Sequence, residues 1–313
     1  MNNKHKFAVI ALAILLVVFF VFLIWEDKRQ DAQYEAKAQE YEQELRPYRS
    51  EQSRLEYELE ELEYTVAHSG DNMGSVIVLF SAPDARIMTD CLPKMKEYGY
   101  PGVVAVSDEF FPGGDGCLTV EDVKLLIKEG WELCLTVTPE SDPAALSARI
   151  EQSGLPKAVC AYFPQSYSYA EWKDRLVPLN LIAVIERYLP QDNGEDLWNV
   201  KAYGSNESKG AELLRDNTST LECAALTVGY QNRYELYAEN NFNGMLATLK
   251  RNADDGKLAV ANVTAARERS LLREAVIAAA EENTGKQREE LNAALKTVQE
   301  QINAINKKYG SMK

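Results

Sequence analysis

Five carboxylates fall where apolar runs of the chain end: Asp84, Asp108, Glu109, Glu140 and Glu186. If the runs are strands, these acids stand at strand C-termini. Two carboxyl groups held roughly 5 to 9.5 Å apart can hydrolyse a glycoside, one as acid and the other as base or nucleophile. Glu140 and Glu186, after the third run and at the end of the fifth, are the candidate pair. Each acid also has a plain structural use. Asp84 and Asp108 can cap the helices that follow. Glu140 opens a loop ahead of Asp142-Pro143, and Glu186 is followed by Arg187. Aromatic side chains gather on the same segments, and Phe110, Phe111 and Tyr167 are candidate ligand contacts, since sugar rings stack on such faces.

Other chemistries find little to work with. The chain has two histidines, His5 and His68, so none follows residue 68. Its five cysteines, Cys91, Cys117, Cys134, Cys160 and Cys223, include no C-x-x-C pair. Three of them sit inside apolar runs and read as small buried hydrophobes. There is no phosphate loop, no G-x-S-x-G elbow and no Rossmann glycine set. Gly113-Gly114-Asp115-Gly116 is a turn cluster. No metal or cofactor is expected. A net charge of −14 over 313 residues leaves no basic stripe for nucleic acid.

The apolar runs between residues 75 and 263 are SVIVLF, GVVAVS, ELCLTV, AVCAYF, LIAVIE, ECAALTV and KLAVANV. They lack polar alternation, as strands buried on both faces should. Helical patterns lie between them. Thr119 with Asp122 is placed to cap a helix over 120–129 that stops at Gly130. Asp142-Pro143 is a cap followed by proline at the first helical position. Asn206 can cap a helix holding Ala211, Leu213 and Leu214. So many strand–helix units predict an α/β fold with parallel strands closed into a (β/α) barrel.

The flanks differ in kind. Residues 7–25 are an uninterrupted apolar run, close to the roughly 20 needed to cross a bilayer as a helix. Lys4 and Lys6 precede it, which puts the N-terminus inside and the rest outside. Its Phe-Leu-Ile-Trp ending is unlike a cleavage site, so the run reads as an uncleaved anchor. Tyr34, Ala38, Tyr41, Leu45, Tyr48, Gln52, Leu55, Leu59, Leu62 and Val66 then step by four and three, the seam of a coiled coil. Pro47 should kink or break that helix near Leu45. In the tail, Leu271, Leu272, Ala275, Val276 and Ala279 form a wide apolar face, Thr284-Gly285 interrupts it, and Leu291, Leu295, Val298, Ile302 and Ile305 resume a heptad. The tail can run back along the stalk, or stalks can associate in parallel between chains. The expected divisions are 1–26, tip and anchor; 27–70, stalk; 71–264, barrel; 265–313, helical tail.

Three pieces of the middle resemble a polysaccharide deacetylase domain: VIVLFSAPD with CLPKMKEYGYPGVVAV, then LTVEDVKLLIKEGWELCLTV, then DDGKLAVANV. The likeness covers roughly 75–265 and implies a distorted barrel of that family's type. It also implies metal-assisted removal of an acetyl group, with a cation held by one aspartate and two histidines, a second aspartate as base and a late histidine as acid. The matching positions here are different. Where the family has Phe-Asp-Asp, this chain has Phe80-Ser81-Ala82. The family's H-x-x-x-H falls on Thr136 and Glu140, and its late histidine falls near Ala261. The arginine–proline motif is not evident in Tyr162-Phe163-Pro164-Gln165. Alanine, threonine and serine do not replace imidazole and carboxylate as ligands.

The expectation is therefore a membrane-anchored, extracytoplasmic pseudo-deacetylase. It would bind envelope polysaccharide or peptidoglycan, or position envelope partners, alone or as a homo-oligomer. Ser81, Asp84, Asp108, Phe110, Phe111, Thr136 and Tyr167 would line its cleft. The alternative is a metal-independent carbohydrate hydrolase, or residual deacetylase activity. The topology is checked by Ser50→Cys in intact cells: a membrane-impermeant maleimide should label it from outside, and protection until lysis would reverse the orientation.

Overall fold

The computed structural model describes residues 3–108, 113–165, 169–187, 197–204, 220–228 and 239–310, with side chains from Leu15 onward except at 169–170 and 239–241. The chain divides into two compact units, one of residues 1–66 with 281–313 and one of 67–280.

The second unit is an α/β barrel. Its strands are β1 (Gly74–Phe80), β2 (Val103–Val106), β3 (Glu132–Thr136), β4 (Cys160–Phe163), β5 (Ala183–Glu186), β6 (Trp198–Gly204), β7 (Cys223–Val228) and β8 (Leu258–Val260). Every pairing is parallel, and β1 through β7 form a closed ring because β1 pairs with both β7 and β2. β7 covers one edge of β1 from Ser75 to Phe80. The other edge is shared: β8 takes Gly74 to Val76, and β2 takes Leu79 and Phe80. The seven apolar runs all contain strands. β6 was not among them, because WNVKAYG puts Asn199, Lys201 and Tyr203 alternately with buried Val200 and Ala202.

Alternation along each strand separates two cores. Ile77, Leu79, Val103, Ala105, Cys134, Cys160, Ala183, Val200, Ala202 and Ala225 fill the ring. Val76, Val78, Phe80, Val104, Leu133, Leu135, Phe163 and Val184 face the helices. The interior is mostly alanine, valine and cysteine because barrel diameter grows with strand number, and seven strands leave little room.

The helices around the ring are α2 (Leu92–Tyr98), α3 (Val120–Lys128), α4 (Pro143–Gln152), α5 (Tyr169–Leu176) and α6 (Glu239–Asp254). The starts of α3 and α4 obey the local signals. Thr119 and Asp122 form a reciprocal capping box on α3, and Gly130 follows it at φ 83°. Asp142 accepts from the Ala144 and Ala145 N–H groups at 3.2 Å, with Pro143 first in α4. The expected Asn206 helix lies outside the described residues.

The floor of the barrel is closed by the last helix, α7 (Val263–Tyr309). Val263 and Ala266 join the interior core. Glu132 Oε2 accepts from the Val263 N–H at 2.8 Å and the Thr264 N–H at 3.2 Å, placing a carboxylate on the positive end of that helix. Asn262 Oδ1 accepts from the Ala265 N–H at 2.9 Å. Two arginines of α7 bind the chain entering β1: Arg269 donates to the Asn72 and Gly74 carbonyls, and Arg273 to that of Gly70.

The first unit is an antiparallel pair formed by α1 (Asn3–Ala67) and the tail of α7. Tyr41 Oη donates to Asn306 Oδ1 at 2.8 Å, and Gln52 Nε2 to Gln299 Oε1 at 3.5 Å. Glu44 accepts from Lys308 and from Tyr309 Oη. Of the two arrangements open from sequence, the tail thus runs back along the stalk within one chain. Leu45, Leu55 and Val66 are buried from one helix, Leu291 and Ile302 from the other. Tyr34 and Ala38, expected in the seam, are exposed, since α7 ends at Tyr309 opposite Tyr41.

Neither helix breaks at its expected interruption. α1 is unbroken through Pro47, and α7 is unbroken through Thr284-Gly285. Proline deprives one carbonyl of its donor, but contacts at Leu45, Glu44 and Gln52 hold the helix on both sides. Glycine costs a helix only about 1 kcal/mol. The apolar face at Leu271, Leu272 and Val276 is exposed. Among the described residues no helix is long and apolar enough to cross a membrane. The described side chains begin within the apolar run, and Leu15 through Trp25 are all exposed.

Two glycines separate crowding from propensity. A Cβ on Gly74 would sit 2.0 Å from the Leu221 carbonyl oxygen, whereas one on Gly285 meets nothing within 4 Å. Thermal melts followed by circular dichroism should show Gly74→Ala losing about 1–3 kcal/mol, the range for overpacking. Gly285→Ala should gain up to about 1 kcal/mol.

Candidate functional site

The C-terminal mouth of the ring is the place where barrel chemistry ordinarily sits. Here the strand ends bring hydroxyl groups to it. Ser81 follows β1, in phase with interior Ile77 and Leu79. Ser107 follows β2, in phase with Val103 and Ala105. Thr136 ends β3 and pairs with Tyr162 of β4, and Thr227 lies near the end of β7. Ser107 stands one step beyond the pair Val106↔Leu135, which puts it beside Thr136 and next but one to Tyr162.

These hydroxyls differ in how far they are engaged. The Ser81 N–H donates to the Val228 carbonyl at 3.0 Å, and its Oγ is 3.5 Å from the same oxygen. Thr227 Oγ1 donates to the Tyr203 carbonyl at 3.2 Å. Ser107 Oγ is buried and has no hydrogen-bond partner among the described residues. A hydroxyl shut from water without a partner is costly, so such a group is a ready donor and acceptor for a ligand.

The carboxylates have other work. Asp84 is 6% exposed and grips Arg86, with Nη2 to Oδ2 at 2.7 Å and the Arg86 N–H to Oδ1 at 2.8 Å. It also bridges to Cys117, which ties the Ser81–Asp84 turn to the segment before α3. Asp108 does cap a helix, but not the next one: Oδ2 accepts from the Asp142 N–H at 3.1 Å, and Oδ1 pairs with Arg149 of α4. Glu140 is exposed in the turn after β3. Glu186 is 4% exposed and alternates with interior Ile185, so it lies on the helix-facing side with Val184. The structure therefore sets Glu140 in solvent and Glu186 in the outer layer of the barrel. Glu109, Phe110, Phe111 and Tyr167 lie outside the described residues. Trp172 is buried beneath Arg175, whose guanidinium is 4.3 Å from the ring centre and donates to the Ser141 carbonyl.

Ser107 and Thr227 were not singled out from sequence. Both were visible as the polar last or next-to-last letters of apolar runs, GVVAVS and ECAALTV, in phase with the interior set. Among the described residues, no group of three or more histidines, cysteines or acids is placed to hold a metal ion. Among the described residues, Ser81, Ser107, Thr136 and Thr227 bring neutral donors and acceptors to the strand ends at the mouth.

No protein-family model matches the chain, and no curated protein is similar to it.

No disulfide joins any two of the five cysteines in this structure. Burial, then Asp90 and Asp84 nearby, pushes the Cys91 thiol up to about 12. Burial also raises Cys223, with Glu222 adding to the effect, and raises Cys160, which hydrogen-bonds Cys134. A raised value keeps the thiol protonated. At pH 8 Cys91 thus holds about a thousandfold less thiolate than at its ordinary value near 9.0. Timed alkylation of the native chain at pH 8, read by peptide mass spectrometry, should label the partly exposed Cys117 first. Cys91 and Cys160, both fully buried, should stay unmodified over the same period.

Proposed function

We propose that this chain is a membrane-anchored extracytoplasmic protein whose barrel, of the polysaccharide deacetylase type, binds an uncharged stretch of envelope glycan without cleaving it. The observation that carries the reading is the hydroxyl set at the barrel mouth, and Ser107 Oγ above all. Pyranose hydroxyls act as donor and acceptor at once, as serine and threonine hydroxyls do. Of the positions that the family fills with metal ligands, base and acid, Ser81 and Thr136 here keep a hydroxyl, Ala82 and Ala261 keep no polar group, and Glu140 is a carboxylate.

Anchoring is supported by the apolar run. Leu15 through Trp25 expose large side chains all round the helix, with Leu15 at 66% and Phe20 at 61%. Surface of that kind is unfavourable in water by about 25 cal/mol per Å² and is satisfied by hydrocarbon. The 27–66 stretch, paired with the tail as a coiled coil, is the stalk in this reading.

The test is co-sedimentation of the full detergent-solubilised chain with purified cell-wall polysaccharide and peptidoglycan. Retention should fall about tenfold in Ser107→Val and in Thr136→Val, as loss of one hydrogen bond of about 1–1.5 kcal/mol implies. Equal retention by wild type and both variants, or no retention, would sink the reading. Glycan cleavage abolished by Glu140→Gln would replace it with the hydrolytic one.

A further inference from the structure

Cys134 and Cys160 stand side by side within the ring. They are register partners on the parallel strands β3 and β4. Both belong to the interior core, and neither has any exposed surface. Neighbouring strands lie about 4.8 Å apart, inside the Cα separation that a disulfide spans. Partners on one face send their Cβ atoms the same way, so neither strand must turn over to join them. The flanking register positions are Ala105 beside Cys134 and Ala183 beside Cys160, both small enough to let the thiols rotate toward each other. The other three cysteines are elsewhere: Cys91 in the outer core, Cys117 before α3, and Cys223 on β7.

We propose that Cys134 and Cys160 close a disulfide across β3 and β4 when the chain folds in the presence of a small-molecule disulfide oxidant. One thiolate attacks a sulfur of the oxidant, forming a mixed disulfide and releasing one thiol. The second cysteine, as its thiolate, attacks the protein-side sulfur of that mixed disulfide and releases the other thiol. The pair loses two electrons and two protons, and the oxidant gains them. In the finished barrel both thiols are sealed, so the bond forms while β3, α4 and β4 assemble and before β1 meets β2. The same seal then keeps reductants away from it. The bond staples one strand–helix–strand unit, and it stands apart from the glycan-binding reading.

The full chain is denatured, reduced and refolded in detergent with a mixture of oxidised and reduced glutathione. It is then alkylated under denaturing conditions and digested. Mass spectrometry should find the Cys134 and Cys160 peptides joined, and the link should vanish in Cys160→Ala, leaving Cys134 alkylated. The oxidised wild type should melt roughly 5–10 °C above the same material refolded with dithiothreitol. Recovery of Cys134 and Cys160 as separate alkylated residues from the oxidised refolding would overturn the proposal. So would their joining mainly to Cys91, Cys117 or Cys223.

Discussion

Closure of the ring depends on the division of one strand edge. β1 is the only strand among those described with three partners, and its free edge must serve two of them. β8 holds the first half at Gly74–Val76, and β2 holds the second at Leu79–Phe80. Had β8 run the whole length, β2 would have no edge to meet and the sheet would stay open. β8 is short because the chain leaves it after Val260 and turns into α7, fixed there by Asn262 and by the Glu132 carboxylate. A capping interaction at the floor thus limits a strand, and the limited strand lets the ring close above it. Gly74 belongs to the same constraint, because only a residue without Cβ lets Leu221 pass at that point.

The layers of the interior follow from that closure. Small side chains fill much of the narrow ring, Ala105, Ala183, Ala202, Ala225 and the two thiols, beside Ile77, Leu79, Tyr162 and Ile185. At the floor the polar groups are consumed by the start of α7. At the mouth the described strand ends carry Ser81, Ser107, Thr136 and Thr227.

Much of the architecture was legible from patterns that do not depend on distant parts of the chain. Continuous apolar runs betrayed strands covered on both faces, and Thr119, Asp122, Asp142 and Pro143 marked helix starts through bonds within four residues. The candidate site was less legible. Asp108 was read as a cap for the helix after it, and it caps a turn more than thirty residues later because the ring puts β2 beside β3. Glu186 was placed at a strand end correctly, but its facing depends on which residue of the alternating pair enters the ring. In a run buried on both faces, hydrophobicity carries no such mark. β6 was hidden for the opposite reason: its outer face is partly wet, so its polar letters looked like a loop.

Pro47 and Gly285 show where local rules lose to packing. Each sits in a long helix, and each by itself favours a break. A helix interrupted at Pro47 would release Leu45 and uncouple Glu44 from Lys308 and Tyr309. Burying a leucine side chain is worth about 1.5–3 kcal/mol, comparable to the roughly 3 kcal/mol that an interior proline costs. The hydrogen bonds of Tyr41 and Gln52 tip the balance toward continuity. The same comparison explains why Tyr34 and Ala38 leave the seam although their spacing fits it. Heptad spacing offers a face, but burial needs a partner helix opposite, and α7 ends at the level of Tyr41.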